Sequence, residues 1–402
     1  MTDRVHRIVG GLHEEMISWR RHFHRHPELS FQEKETSRKV AELLESFGLE
    51  VRTGIAGYGV TGLLRGAKPG PTIALRADMD ALPIQEENET EYRSEVPGVM
   101  HACGHDGHMA MLLGAAKALT SFREELAGQV LFLFQPAEEK LPGGAQGMIR
   151  EGVLDGVDCV FGLHLWSPLP VGCVGICEKE FMAAADGFEV EIIGRGGHGG
   201  LPHKTVDPVL VASHVVINLQ ALVSRETDPL DSAVISVCTI QGGTGFNVIA
   251  DTVRMGGTVR CFDLGTRERI IKRMREVIES TCSMFQASCR FEYRPGYPPL
   301  INPPEEVRFA ARLAEQIVSP ERVVTLPKVM GGEDFAYYLQ QRPGAFLFVG
   351  AGNTERGITA PHHHSRFDID ERSLKIGAEW LVRIALGKLA PDPKTDGSAS
   401  PQ

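Results

Sequence analysis

No CxxC pair occurs among the eight cysteines, and their irregular spacing gives no framework for a disulfide-stapled domain. No run approaches the roughly 18 consecutive apolar residues of a membrane-spanning helix. The first residues, MTDRVHRIVGGLHEEM, lack the continuous apolar segment of a signal peptide. Reduced thiols and a cytoplasmic location are therefore expected. Basic charge is not in excess either: 42 Lys and Arg face 52 Asp and Glu, a net charge of −10. Nucleic acid calls for a basic face and a membrane surface for a polybasic stretch, so neither is an expected partner. HExxH, PCxxC and GxSxG are missing, which removes three common hydrolase and deaminase readings. What is there is an ordinary globular composition, 42% hydrophobic and 23% charged, over 402 residues. That length suits two or three domains.

The first half alternates helical and extended patterns. A helix to about residue 28 precedes one over 30–47, where Val40, Leu43, Leu44 and Phe47 recur at helical spacing. Apolar extended runs follow at 60–64, 72–75, 129–134 and 157–165, with a helix over 107–122 between them. Such strands alternating with helices predict an α/β sheet covered on both faces. After Ala183 the order becomes strand 188–193, helix 207–225, strands 233–240 and 248–262, helix 266–285 and strand 288–293. This β-α-β-β-α-β succession predicts a small ferredoxin-like α+β domain. A Pro-rich return, 295–304, leads into helices 305–318 and 333–340, a strand 345–349 and a helix 372–389. The expected division is a catalytic domain over 1–184 and 298–390, an inserted domain over 185–297, and a disordered tail over 391–402 rich in Pro, Ser and Asp.

Histidine placement carries the strongest chemical signal. Nine of the fifteen fall in three clusters: His22, His24 and His26; His101, His105 and His108; His362, His363 and His364. The middle cluster lies in Met100-His-Ala-Cys-Gly-His-Asp-Gly-His108, where Cys103, His105, Asp106 and His108 suit a transition metal. A helix cap at Asp106 with solvated imidazoles is the competing reading, and a Cys103 nucleophile activated by His105 is another. Three apolar runs also end in ligand-type residues: one in Asp78 and Asp80, one in Glu138 and Glu139, one at His164. In open α/β sheets ligands bind beyond the carboxyl ends of strands, so these positions point to one crevice. Metal-assisted hydrolysis needs one carboxylate on the cation and a second to take a proton from water, and adjacent glutamates can divide that work. The glycine-rich segment 194–200 contains GxGxxG but no helix starts at its glycines, so dinucleotide binding is rejected. It is expected to present His198 and His203 on a loop, either to a ligand or to solvent.

Taken together, these segments resemble the metal-dependent amidohydrolases that include hippurate hydrolases, N-acyl-amino-acid amidohydrolases and auxin-conjugate hydrolases, relatives of aminoacylase and carboxypeptidase G. The similarity rests on Arg21-His-Phe-His-Arg-His-Pro-Glu-Leu-Ser30, Ala77-Asp-Met-Asp-Ala-Leu-Pro83, the His101 to His108 cluster, Gln135-Pro-Ala-Glu-Glu139, Gly162-Leu-His164, segments 194–200 and 243–251, Glu333-Asp-Phe335 and 363–370. The resemblance implies a two-metal aminopeptidase-like catalytic domain with an inserted dimerisation or lid domain, assembled as a homodimer or homotetramer. It implies two divalent ions (Mn, Zn, Ni or Co) held by Cys103, His105, Glu139, His164 and His363, with Cys103 as the bridge. By the same resemblance Glu138 is the general base, Asp78 orients a ligand, and His198 and Asn247 meet the substrate. Its implied reaction is hydrolysis of an N-acyl amino acid. A peptidase or carboxypeptidase, or an inactive metal-binding dimer, are the alternatives.

Overall fold

Apolar residues on consecutive positions suit strands covered on both faces, and the runs that end in acid or imidazole side chains do form the middle of a sheet. The computed structural model describes residues 2–390, and the tail expected to be disordered lies outside them. The chain divides into two units. The first comprises the residues up to Lys179, Asn302–Pro327 and those from Tyr337 onward; the second comprises Glu180–Ile301 and Lys328–Ala336.

The first unit holds a mixed sheet of eight strands. Their spatial order is Glu50–Ile55, Gly59–Arg65, Ala127–Gln135, Lys68–Asp78, Cys159–Pro170, Gly344–Gly352, Val174–Ile176 and Val323–Thr325. Lys68–Asp78 runs parallel to both of its neighbours, and Gly344–Gly352 is parallel to Cys159–Pro170. In that register Asp78 lies opposite Gln135, so the two strands leave the sheet at the same edge. Asp80, Glu138 and Glu139 follow within a few residues. The α/β class is thus the expected one.

The helix His105–Thr120 is buried all round except at Lys117 and Thr120, the pattern of a helix enclosed by others. The helices His13–Arg25 and Ser373–Lys388 pack against it. That closeness needs glycine at Gly114, where a Cβ would stand 2.3 Å from the Met16 Sδ. Each completely buried Leu or Met of this helix contributes about 1.5–3 kcal/mol, which fixes its N-terminus, and His105 with it, against the sheet.

The second unit is a four-stranded antiparallel sheet in the order Ala233–Gly242, Thr252–Cys261, Ala184–Ile193, Ser288–Tyr297. Helices Pro208–Ala221 and Leu264–Met284 cover the face bearing Phe188, Val190 and Ile192. The strand order is that of the ferredoxin-like arrangement. By length and composition Pro208–Glu226 is apolar enough to cross a membrane, yet its Val211, Val215, Leu219 and Leu222 are packed in this core.

Candidate metal centre

Asp80, just past the end of Lys68–Asp78, organises the turn that carries the two glutamates. Its Oδ1 accepts the Glu138 backbone N–H and its Oδ2 the Glu139 N–H, each at 3.0 Å. Ser30 Oγ donates to the same Oδ2 at 2.6 Å. Asp80 Oδ1 also lies 3.3 Å from His105 Nδ1, leaving Nε2 of that ring to look toward Glu139, whose Oε1 is 3.8 Å away.

The other imidazoles are oriented by backbone groups. His164 Nδ1 donates to the Leu165 carbonyl at 2.6 Å, which leaves Nε2 with its lone pair 3.4 Å from Cys103 Sγ. His108 Nε2 accepts the Leu165 N–H at 2.9 Å, so its Nδ1 carries the proton donated to Asp78 Oδ1 at 2.6 Å. Asp78 receives Arg76 Nη1 on its other oxygen at 2.6 Å. Burial opposes a charge on Asp78, but His105, Arg76 and His108 hold its carboxyl well below the usual range. His363 Nε2 lies 3.3 Å from Glu139 Oε1, on a backbone with φ of +64°.

These donors fit a cation. His105 Nε2 and Glu139 Oε1 are buried without a hydrogen-bond partner among the described residues, although each faces opposite charge. Such orphaned atoms are costly unless something occupies the space between them. The ligand atoms of Cys103, His105 and His164 lie within 4.8 Å of one another, and so do those of Cys103, Glu139 and His363. Donors bound to one first-row metal at about 2.0–2.3 Å sit roughly 3.3–3.8 Å apart, so each set needs only a small contraction. Cys103 belongs to both sets.

The local field favours a cation too. Burial works against a charged His105, yet Asp78, Asp80 and Glu139 draw its imidazole up to about 10. Three carboxylates around one imidazole make a negative field that also favours a divalent cation. Burial and the carboxylates of Glu139 and Glu138 push the Cys103 thiol well above its ordinary value. A thiol held protonated is a poor nucleophile, and a cation in the site would offset those carboxylates and let the sulfur bind as thiolate.

Comparison with known proteins places the chain in a family. The profile of peptidase family M20/M25/M40 matches residues 74–387. The chain belongs to that family. Among proteins similar to it is the N-acyl-L-amino acid amidohydrolase of Geobacillus stearothermophilus, 48% identical over 300 residues, 75% of this chain and 81% of that one. Thermostable carboxypeptidase 1 of Saccharolobus solfataricus is 40% identical over 381 residues, 94% of this chain and 96% of that one. The crystal structure of the YXEP protein of Bacillus subtilis, a dinuclear metal binding peptidase, is 37% identical with a TM-score of 0.82, covering 94% of this chain and 99% of that one.

Within this M20/M25/M40 member, Cys103, His105, Glu139, His164 and His363 come together, and Glu138 stands beside them in the ligand-distance group of His105 and Glu139. The three consecutive histidines divide. His362 stacks on Trp166 at 4.7 Å and its Nε2 accepts the Ser167 N–H, while His364 Nδ1 accepts the Arg366 N–H. Only His363 faces Glu139. Asp78 bonds His108 and stands 3.8 Å from His105 Nε2. The carboxylate on His105 Nδ1 is Asp80, a contact that sequence reasoning missed although both acids share one motif.

His198 and Asn247 lie in the second unit and are neighbours there. Gly199 N–H donates to the Asn247 carbonyl at 2.8 Å, and Val248 pairs with His198 across two short strands. His198 Nδ1 accepts the Gly200 N–H at 3.0 Å, which places the proton of the neutral ring on the exposed Nε2. A single 3-10 turn, Pro202–Lys204, follows the glycines, and the next α-helix starts only at Pro208 with Asp207 as its cap.

Proposed function

We propose that this chain hydrolyses the amide bond of N-acyl amino acids, of the hippurate, acetyl or indoleacetyl type, to a carboxylic acid and a free amino acid. The observation that carries the reading is the convergence of Cys103, His105, Glu139, His164 and His363 on two overlapping ligand sets with Glu138 at their side. The naming of the Geobacillus relative supports it. Those five residues would hold two divalent transition-metal ions (Mn, Zn, Ni or Co), and such ions polarise an amide carbonyl and acidify water.

The chain's own groups do the rest. Glu138 takes a proton from water as the oxygen adds to the amide carbon, and returns it to nitrogen as the C–N bond breaks. His198 Nε2–H donates to the carbonyl oxygen as negative charge develops there, with Asn247 beside it.

The reading is tested by metal analysis of the purified protein combined with a panel of acetyl-, benzoyl- and indoleacetyl-amino acids against dipeptides. Hydrolysis of acylated amino acids in preference to dipeptides is the expected result. The reverse preference would establish the second reading, a carboxypeptidase, which the Saccharolobus relative favours. Bound metal with no turnover of either class would leave an inactive metal-binding protein. A cytoplasmic homodimer or homotetramer completes the proposal, supported for the compartment by eight free cysteines.

A further inference from the structure

Glu33 is completely buried on the connection between helices His13–Arg25 and Lys34–Ser46, and it belongs to neither ligand set. Its Oε1 accepts two backbone N–H groups, that of Ala137 at 2.8 Å and that of Phe31 at 3.0 Å. Both donors are non-glycine residues in the left-handed region, Ala137 with φ of +54° and Phe31 with φ of +64°. Such conformations persist only where the surroundings enforce them. Ala137 is itself fully buried and immediately precedes Glu138 and Glu139.

The amides of Ala137, Glu138 and Glu139 are consecutive, and each is held by a carboxyl group: the first by Glu33, the next two by Asp80. Without Glu33 the buried Ala137 N–H loses its partner, and the strained peptide is free to rotate. Rotation there would re-aim both glutamates, because their Cα positions follow directly. Burial, with Asp80 adding to it, pushes the Glu33 carboxyl up to about 7. A neutral carboxyl still offers a carbonyl oxygen to both amides, and so does a glutamine.

We propose that Glu33 is a positioning residue for the hydrolytic centre: by locking the Ala137 peptide through Oε1, it sets the bearing of Glu138 toward substrate and of Glu139 toward the cations. This rests on the reading of Glu138 as proton carrier and Glu139 as ligand. The test compares wild type, Glu33→Gln and Glu33→Ala. Metal affinity is measured by competition with a chromophoric chelator, kcat and KM on whichever N-acyl amino acid the wild type turns over, and folding by circular dichroism and thermal melting. Glu33→Gln is expected within about threefold of wild type in every quantity. Glu33→Ala is expected to lose about 10–100-fold in kcat with KM nearly constant, and about tenfold in metal affinity, while still melting cooperatively. Wild-type kcat and metal affinity in Glu33→Ala would overturn the proposal, as would equal damage in Glu33→Gln. Should Glu33→Ala not fold, hydrogen exchange at the Ala137 amide of the wild type decides: protection comparable with the core strands supports the lock, and exchange at loop rates sinks it. If the wild type hydrolyses no acyl amino acid, the function proposed above fails, and metal affinity alone then decides the role of Glu33.

Discussion

Arg20 Nε donates to Asp106 Oδ2 at 2.7 Å, and both side chains are wholly withdrawn from water. The same guanidinium reaches Asp368 Oδ1 at 2.8 Å, and His24 Nδ1 meets the same Asp106 oxygen at 2.8 Å. Burial opposes both charges, yet Asp106 and Asp368 keep Arg20 charged, and Arg20 with His24 holds the Asp106 carboxyl well below its ordinary value. Asp106 follows His105, a proposed ligand, and Asp368 follows the His363 segment by a few residues. One buried cation therefore ties an N-terminal helix to two stretches of the metal centre.

Truncating that cation should be expensive. Arg20→Met leaves Asp106 buried without its main partner, a change that costs about 3–5 kcal/mol when a buried pair is broken. Urea denaturation of the metal-free protein measures it. A loss under about 1 kcal/mol would mean that Asp106 finds another partner or a proton.

Glu138→Gln keeps shape and removes the proton acceptor. The expected result is unchanged metal content and melting temperature with a loss of roughly 10²–10⁴ in kcat. Metal analysis beside a steady-state assay checks both halves. Retained turnover would take Glu138 out of the mechanism.

Cys103 sits in both ligand sets, so its loss should be felt at both. Cys103→Ser is expected to lower bound metal below two ions per chain after dialysis, and to make chelator inactivation faster. Activity of the wild type should vanish with chelator and return with metal. Activity that survives chelation but not alkylation would instead reinstate the thiol nucleophile.

Asp370 gives the fold an acid limit. It is buried, accepts Arg372 Nη2 at 2.7 Å and Asn353 Nδ2 at 2.6 Å, and against its burial these bring the carboxyl down to about 2. A folded-state value below the unfolded one means stability that is complete above about pH 4 and lost as pH falls through about 2. Asp370→Asn should be less stable at neutral pH, with the difference from wild type shrinking across that interval. A gap that stays constant from pH 5 to about 2 in urea titrations would contradict the assignment.

Much of the architecture could be read ahead of the structure because long apolar strands and enclosed helices carry strong periodicity. The Lys68–Asp78, Ala127–Gln135 and Cys159–Pro170 strands and the His105–Thr120 helix are of that kind. Glu50–Ile55 was missed because it is an edge strand with mostly exposed residues, and Val174–Ile176 and Val323–Thr325 are too short to show a period. The single opening helix is two, Thr2–Gly11 and His13–Arg25. The helix expected over 333–340 contracts to Ala336–Leu339, since Glu333 Oε1 takes the Phe335 N–H and competes with helical bonding. In the site, residue types and strand ends pointed to side chains that the structure brings within ligand distance of one another. Which acid serves His105 was not legible: Asp78 and Asp80 are two apart and share a face in an extended chain, and only the end of the strand at Asp78 separates them. Among the three adjacent histidines the resemblance singles out His363 and leaves its neighbours as competitors; in the structure His363 faces Glu139 and His362 stacks on Trp166.

His198 offers a direct test of the substrate contact proposed for the second unit. With Nδ1 accepting the Gly200 N–H, the neutral imidazole presents Nε2–H outward as a donor, the form that can stabilise a developing oxyanion. The ring is exposed and lies in the second unit, so removing it should disturb neither folding nor the donor set of the first. His198→Ala is expected to lose about 10²-fold in kcat with metal content unchanged, as the loss of one oxyanion donor does elsewhere. His198→Gln, which can offer an amide N–H from a similar reach, should recover part of that loss. If His198→Ala hydrolyses the best acyl substrate at the wild-type rate, the carbonyl oxygen takes its donor from another residue.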